Sequence, residues 1–219
     1  MNAQAHPPGA DHSLLHGLLF FALAWAAGSI PVLGVWPLPL AVPLAAYLSL
    51  VAMVPRLRAA APRIRAGRAD TPALKLTVAL IIISTSTLVA FDRFMRPDVS
   101  DYRTFLPVSA LGGVITAGIL FALLNPLLEE MIFRGILFDA IRSQVGPIVT
   151  VIITAALFGI AHMRGYPPGA PGATLAFLYG IATGGLRWLT GGIALPVLAH
   201  IAADATIYVL IAQTGVFSR

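Results

Sequence analysis

Residues 106–134 read LPVSALGGVITAGILFALLNPLLEEMIFR. The segment 106–128 carries no charged side chain, and it is long enough to cross the apolar core of a bilayer, which takes about 20 helical residues. It ends in Glu129 and Glu130, the only two glutamates of the chain. A carboxylate inside a membrane costs about 3 kcal/mol or more, so it is normally retained for a function. This stretch therefore predicts a membrane helix whose acidic groups perform acid/base chemistry.

The composition extends this prediction to the whole chain. Of its 219 residues 58% are hydrophobic and only 11% are charged, and the mean hydropathy is +0.87. A soluble domain carries about 25% charged residues. Alternating strand patterns are not convincing anywhere, and the absence of cysteine excludes disulfides, thiolate metal sites and a cysteine nucleophile. We expect an all-α, polytopic membrane protein.

The apolar segments predict a bundle of about seven or eight transmembrane helices, the first of them a retained helix rather than a cleaved signal peptide. Pro126 should kink or break the long fourth segment, which is then either one bent helix or two. We divide the chain into N-terminal membrane helices (1–104) and a catalytic helical core (105–219) within one continuous membrane domain. The segments are 14–35, 38–54, 74–91, 105–142, 147–162, 174–189 and 193–212.

Basic residues are concentrated in one loop. Five of the fourteen Lys and Arg residues lie between Arg56 and Arg68, between two hydrophobic segments. Cytoplasmic loops of membrane proteins are enriched in this way. The loop 55–73 is therefore predicted to be cytoplasmic, in an integral protein of a membrane such as the bacterial inner membrane. The positive charge indicates orientation in the lipid bilayer and not a nucleic-acid partner.

Helical spacing separates the two glutamates. Glu130 and Arg134 are four residues apart, so they lie on the same face and can pair. Glu129 is rotated from Glu130 by about 100° and is left without that partner. We expect Glu130 to be structural and Glu129 to be available for chemistry.

Two later segments supply histidines. Glu129 lies 17 residues before the turn at Gly146 and His162 lies 16 after it, so the two should reach the same depth in a helical hairpin. Phe158, one turn before His162, should pack beside it. His200 and Asp204 are again four residues apart and project together. Three segments are therefore predicted to bring these side chains to one interior.

Two further charged residues lie near the ends of segments. Asp139 and Arg187 are expected to extend toward the membrane surface, as long charged side chains do near helix ends.

The ordered patterns Glu129-Glu130-x-x-x-Arg134, Phe158-x-x-x-His162 and His200-x-x-x-Asp204 resemble the three motifs of the CAAX-protease and bacteriocin-processing (CPBP, Abi) family of intramembrane proteases. The type II CAAX prenyl endopeptidase belongs to that family. The resemblance covers roughly residues 105–212. The third family motif commonly ends in asparagine, whereas position 204 is aspartate here, and an ionised aspartate would repel an oxyanion that asparagine could stabilise.

The resemblance implies an intramembrane endopeptidase that acts on a membrane-associated protein or peptide. It implies that Glu129 activates water with the help of His162, while His200 and Asp204 stabilise the tetrahedral intermediate. Glu129, His162 and His200 could instead bind zinc, but the helix-borne His-Glu-x-x-His pattern is absent, so no metal is favoured. Neither a Gly-x-Ser-x-Gly serine motif nor a Gly-x-Gly-Asp aspartyl motif occurs.

Two other classes of function stay open. Buried Glu, His and Asp side chains also build the proton paths of small transporters and proton-relay proteins. A non-catalytic scaffold or immunity protein could use the same fold, since a fold does not guarantee an activity. Neither alternative explains why three motifs occur in order.

Overall fold

The computed structural model describes residues 10–62, 64–103 and 111–216, and these ranges are helical without any strand. This confirms the predicted all-α, polytopic membrane class. We expected seven or eight transmembrane helices; the described residues form eight helices, of which four are long and apolar enough to cross a membrane. In chain order they are α1 (Ala10–Gly28), α2 (Leu38–Met53), α3 (Pro55–Ala60), α4 (Thr71–Met95), α5 (residues 111–142), α6 (Pro147–Ala161), α7 (Gly169–Thr190) and α8 (Ala194–Val216).

The surface of the bundle is apolar and several charged groups lie inside it. Large hydrophobic side chains are exposed, among them Trp25 (79%), Ile83 (63%) and Phe94 (86%), while Glu130 and Arg134 are fully buried. This distribution suits a lipid solvent. Among the described residues, four helices are long and apolar enough to cross a membrane (α4, α5, α8, and α6 with the turn after it), and α1 and α2 are shorter apolar helices.

Helix α5 is continuous through Pro126. Its first part is the α-helix Leu111–Glu130, its middle is the π-helical segment Met131–Leu137, and its last part is the α-helix Phe138–Arg142. Of the two predicted alternatives, one bent helix or two segments, the described residues show one helix that runs through Pro126. Residues 105–110 of the predicted segment lie outside the described ranges. The irregularity comes instead directly after the two glutamates, and π-helical turns inside α-helices are frequent at functional sites.

The connection between α6 and α7 is shorter than the sequence suggests. The predicted segments 147–162 and 174–189 leave the Gly- and Pro-rich stretch 164–172 between them as a connection, but α7 already begins at Gly169. Pro171 is tolerated there because the first helical turn has no intrahelical partners for its N–H groups. Gly172 has no Cβ, and a Cβ at this position would overlap the carbonyl oxygen of Pro167.

The basic loop is attached to the turn between α7 and α8. The backbone N–H of Arg68 donates to the oxygen of Thr190, and the N–H of Ile193 donates to the oxygen of Arg65. Gly67, with φ of +86°, lies against Gly192 so closely that neither position has room for a Cβ. We call this part of the bundle the basic end.

The opposite end of α4 contacts the α6–α7 loop. There the hydroxyl of Tyr166 donates to Oδ1 of Asp92 at 2.6 Å, and the ring of Tyr102 packs edge-on against Tyr166 at 6.0 Å. Burial raises the pKa of the Tyr166 phenol, and so does its bond to Asp92. We call this part the tyrosine end.

Asp139 and Arg187 do not extend toward the membrane surface, so that prediction is wrong for this pair. Arg187 is 4% exposed, and its Nη2 lies 2.9 Å from Oδ1 of Asp139. Its Nε also donates to the carbonyl oxygen of Arg134 at 2.8 Å. The guanidinium turns inward because both a carboxylate and a backbone carbonyl accept its hydrogen bonds there, and a buried charge is tolerated when it is paired in this way.

Candidate active site

Glu130 lies at the centre of a buried polar cluster. Its Oε1 accepts from Nη1 of Arg134 at 3.0 Å, so the predicted pair is present. The same oxygen lies 2.9 Å from Nδ1 of His200 on α8. This second contact was not predicted, since the sequence pairs His200 only with its own helix neighbour. Glu130 therefore connects α5 to the last helix of the bundle.

Arg134 extends the cluster to two more helices. Its Nη2 donates to Oγ1 of Thr183 and lies 3.5 Å from the carbonyl oxygen of Gly180, both on α7. Its guanidinium also stacks over the ring of Phe158 on α6 at 4.4 Å. An arginine that is fully buried in this way holds α5, α6 and α7 in one arrangement.

Only one carboxylate oxygen of Glu129 accepts a hydrogen bond from the described residues. Oε1 accepts from Nδ2 of Asn125 at 3.0 Å. Oε2 is buried and accepts no hydrogen bond from the described residues. It lies 3.6 Å from Nε2 of His162 and 3.7 Å from Nε2 of His200. The predicted meeting of these three side chains therefore occurs, and Oε2 is the point at which they converge.

His162 follows the last residue of α6 and is held by Phe158. Its Nδ1 lies 2.8 Å from the carbonyl oxygen of Phe158, and the two rings stack with centroids 4.1 Å apart. A carbonyl only accepts, so Nδ1 carries the proton of this bond. In the neutral ring Nε2 is then an acceptor, and it is this nitrogen that faces Glu129.

Asn125 bridges two carboxylates. Its Nδ2 donates to Glu129 and also to Oδ2 of Asp204 at 3.0 Å, while its Oδ1 accepts from Nε1 of Trp36 at 3.0 Å. Asp204 in turn lies 3.5 Å from Nε2 of His200. Our sequence reasoning missed Asn125, although it precedes Glu129 by four residues, the spacing used for the other pairs. No local pattern points to Trp36, which reaches the site from the N-terminal half.

A cavity of about 310 Å³ opens beside this cluster, between α4, α6, α7 and α8. Most of its wall is apolar, with Leu80, Ile83, Leu175 and Leu178 among the lining residues. Its polar wall is formed by His162, Tyr179, His200 and Asp204. Glu129 does not line the cavity but adjoins both histidines that do. Tyr179 is a further residue that the sequence did not single out, because nothing marks it within an apolar segment.

The described residues contain no group of three or more His, Asp or Glu side chains that is placed to hold a metal ion. Oε2 of Glu129 and the Nε2 atoms of His162 and His200, the alternative zinc ligands, nevertheless face one another at 3.6 and 3.7 Å. The acid/base roles of these groups are proposed without a metal ion.

Comparison with known proteins gives one match. Residues 111–206 match the family model described as type II CAAX prenyl endopeptidase Rce1-like. No curated protein and no solved structure matches the chain. The matched region contains Asn125, both glutamates, both histidines and Asp204, and it confirms the family resemblance predicted from the three motifs.

Proposed function

We propose that this chain, an integral membrane protein of the CAAX-protease type, is an intramembrane endopeptidase in which Glu129 activates the attacking water. One observation carries the proposal: Oε2 of Glu129 is buried, accepts no hydrogen bond from the described residues and lies within 4 Å of two histidine nitrogens. A buried acceptor without a partner costs about 1–3 kcal/mol, so a native protein normally fills it. A water molecule held there would also meet Nε2 of His162.

The reaction begins when this water attacks the carbonyl carbon of the scissile peptide bond. Glu129 takes a proton from the water as the new carbon–oxygen bond forms, and the π electron pair of the carbonyl moves to its oxygen. Nε2 of neutral His162 accepts a hydrogen bond from the other O–H of the water, which keeps its hydrogen, and so orients the molecule. When the intermediate collapses, the carbon–nitrogen bond breaks and Glu129 returns the proton to the departing amine.

His200 and Glu130 contribute to this step as a hydrogen-bond donor and as the group that orients this donor. Nδ1 of His200 is held by Glu130, so its Nε2 points toward Glu129, Asp204 and the cavity. With a proton on each nitrogen the ring can donate to Glu130 on one side and to the reacting oxygen on the other. Glu130 therefore orients His200 in addition to holding Arg134.

The substrate is proposed to be a membrane-anchored protein or peptide. The wall of the cavity is largely apolar, and Ile83 and Leu178 on its lining are more than half exposed on the outer surface of the bundle. An apolar segment that is already in the bilayer can therefore reach the histidines without crossing water. The membrane is proposed to be the bacterial inner membrane, with loop 55–73 in the cytoplasm.

The function is tested by comparing the membrane proteome of cells that contain the wild type with that of cells that contain Glu129→Gln, by labelling of new protein N-termini. The glutamine keeps the shape of the side chain and removes the base. General acid/base groups contribute about 10²–10⁴-fold to rate, so cleavage of the substrate should fall by at least two orders of magnitude. Asp70→Asn is the matched control, because it neutralises an exposed carboxylate at the start of α4 and preserves the helix cap.

Two results would contradict the proposal. Equal processing by wild type and Glu129→Gln would exclude Glu129 as the base. Loss of cleavage by the purified wild type in a chelator, followed by recovery with zinc alone, would replace the metal-free mechanism by a metalloprotease mechanism on the same residues.

A further inference from the structure

Tyr179 of α7 presents a hydroxyl group that the mechanism above does not use. The hydroxyl oxygen is buried and has no hydrogen-bond partner among the described residues, although the residue lines the cavity beside His200 and Asp204. Buried tyrosine hydroxyls usually find a partner. We therefore expect a phenol that lines a substrate cavity without a hydrogen-bond partner to donate to a bound ligand.

The ring of Tyr179 is held firmly. It packs against the ring of His200 with centroids 5.6 Å apart, and against Phe158 at 6.5 Å. Its helix is fixed at the next residue and one turn further on, because Arg134 bonds to the carbonyl of Gly180 and to the hydroxyl of Thr183. A hydrogen-bond donor on such a rigid element has to reorganise little when negative charge develops near it.

The neighbouring polar groups of the site are already committed or have the wrong chemistry. Nδ2 of Asn125 donates to Glu129 and Asp204. The hydroxyl of Tyr166, which also lines the cavity, donates to Asp92. Asp204 can only accept when it is ionised, so it cannot stabilise negative charge as an amide at this position would. Ser84 and Thr87 also line the cavity, from α4. Among the lining residues whose rings pack against His200, Tyr179 is the one with a hydroxyl donor that has no partner among the described residues.

We propose that Tyr179 is a catalytic residue whose hydroxyl donates a hydrogen bond to the oxyanion of the tetrahedral intermediate. This inference rests on the proposed function. When water attacks, the carbon–oxygen single bond forms and the carbonyl oxygen gains the electron pair. The phenol holds that oxygen with its proton, which it keeps, while Glu129 carries the proton taken from water. On collapse the carbonyl reforms, and the hydrogen bond weakens as the charge disappears.

The test is Tyr179→Phe in the full-length protein in proteoliposomes, with a farnesylated, internally quenched CAAX peptide as the probe. The family match to prenyl endopeptidases selects this peptide, and any substrate identified by the proteome comparison is assayed in parallel. Removal of one oxyanion donor lowers kcat by about 10²–10³-fold, and we expect this loss with KM changed less than threefold. The thermal midpoint should stay equal or rise, because the lost hydroxyl has no partner in the folded protein.

Tyr208→Phe is the matched control. The hydroxyl of Tyr208 donates to the carbonyl oxygen of Val114 at 2.7 Å, and the residue does not line the cavity. Its removal should lower the thermal midpoint by about 2–4 °C and leave kcat unchanged, the reverse of the pattern for Tyr179→Phe.

The outcomes separate the two proposals. If wild type cleaves the substrate, Glu129→Gln does not, and Tyr179→Phe keeps kcat within twofold of wild type, the role of Tyr179 is overturned and the proposed function stands. A fall in both kcat and thermal midpoint would assign Tyr179 a structural role instead. If wild type cleaves no membrane substrate, the proposed function fails and the catalytic role of Tyr179 falls with it.

Discussion

Glu129 and Glu130 are neighbours in the chain, yet the structure surrounds them with different chemistry. Glu130 is bonded to Arg134 and His200, so its charge is shared by two nitrogen donors. Glu129 accepts from one amide and leaves its other oxygen toward the histidines. Helical spacing predicts the first difference, since only Glu130 is in register with Arg134. The bond to His200 depends on a helix that lies 70 residues later.

Asn125 should affect activity through the two carboxylates that it bridges. Asn125→Leu keeps the approximate size and removes the donor to Glu129 and Asp204. Hydrogen bonds to charged groups are worth about 1.5–3 kcal/mol, so we expect kcat/KM to fall by about 10–100-fold. The measurement is steady-state cleavage of the substrate identified for the wild type.

Trp36→Phe provides the graded comparison for Asn125→Leu. It removes only the indole donor to Oδ1 of Asn125 and keeps an aromatic ring against Phe121. Its effect on kcat/KM should be smaller than that of Asn125→Leu. A Trp36→Phe loss equal to that of Asn125→Leu would contradict the bridging role and point to a general loosening of the N-terminal half.

Helix α7 shows why element boundaries were harder to predict than element types. The nine residues 164–172 contain three glycines and three prolines, which is typical of a loop. The helix nevertheless starts within them, since Pro171 occupies a first turn where no N–H is needed and Gly172 lets the chain pass the carbonyl of Pro167. This close approach sets the path of the loop that follows His162.

Gly172→Ala should therefore disturb the site, because Gly172 lines its cavity and lies against Pro167. The added methyl group would overlap a backbone carbonyl, which cannot move as a side chain can. Overpacking of this kind costs about 1–3 kcal/mol or more, so both the thermal midpoint and kcat should fall. The measurements are thermal unfolding in detergent and cleavage by the same preparation.

Gly185→Ala in the same helix is the control for Gly172→Ala. No atom lies within 4 Å of the position of its Cβ, so alanine should raise stability by about 0.5–1 kcal/mol and leave cleavage unchanged. Equal behaviour of the two variants would show that the approach of Gly172 to Pro167 has no influence on the site.

The whole molecule has two unlike ends, and the cavity beside the candidate site reaches the tyrosine end, where Tyr166 and Pro167 line it. Asp139 and Arg187 lie toward the basic end, since Arg187 is one turn before the α7–α8 turn that holds the loop 64–68. Glu129 precedes Arg142, the last residue of α5, by 13 residues, or about 20 Å of α-helix, whereas His200 follows Ala194 by six residues, or about 9 Å. With the basic loop in the cytoplasm, as we propose, the cavity extends from this depth toward the opposite face.

This orientation can be measured directly because the chain has no cysteine. Ala69→Cys lies in the exposed loop before α4, and Met95→Cys lies at the exposed end of that helix. In intact cells a membrane-impermeant maleimide should label Met95→Cys, and Ala69→Cys should react only after permeabilisation. The reverse pattern would invert the orientation and turn the site toward the cytoplasm, and labelling of both in intact cells would show that α4 does not cross.

The amino-acid sequence by itself determined the fold class of the protein and singled out most residues of the candidate site. Composition requires a lipid environment, and spacings of four residues place Glu130 with Arg134 and His200 with Asp204 because a helix brings such residues onto one face. These are local properties, so they can be read along the chain.

Only the tertiary structure decided which groups meet across helices. Asn125 with Asp204, Glu130 with His200 and Arg187 with Asp139 are contacts between segments at least 48 residues apart. In an apolar bundle each buried polar group takes whatever partner packing brings near, since an unpaired one is costly. The inward turn of Arg187 and the unpaired hydroxyl of Tyr179 follow from that packing and from no pattern in the sequence.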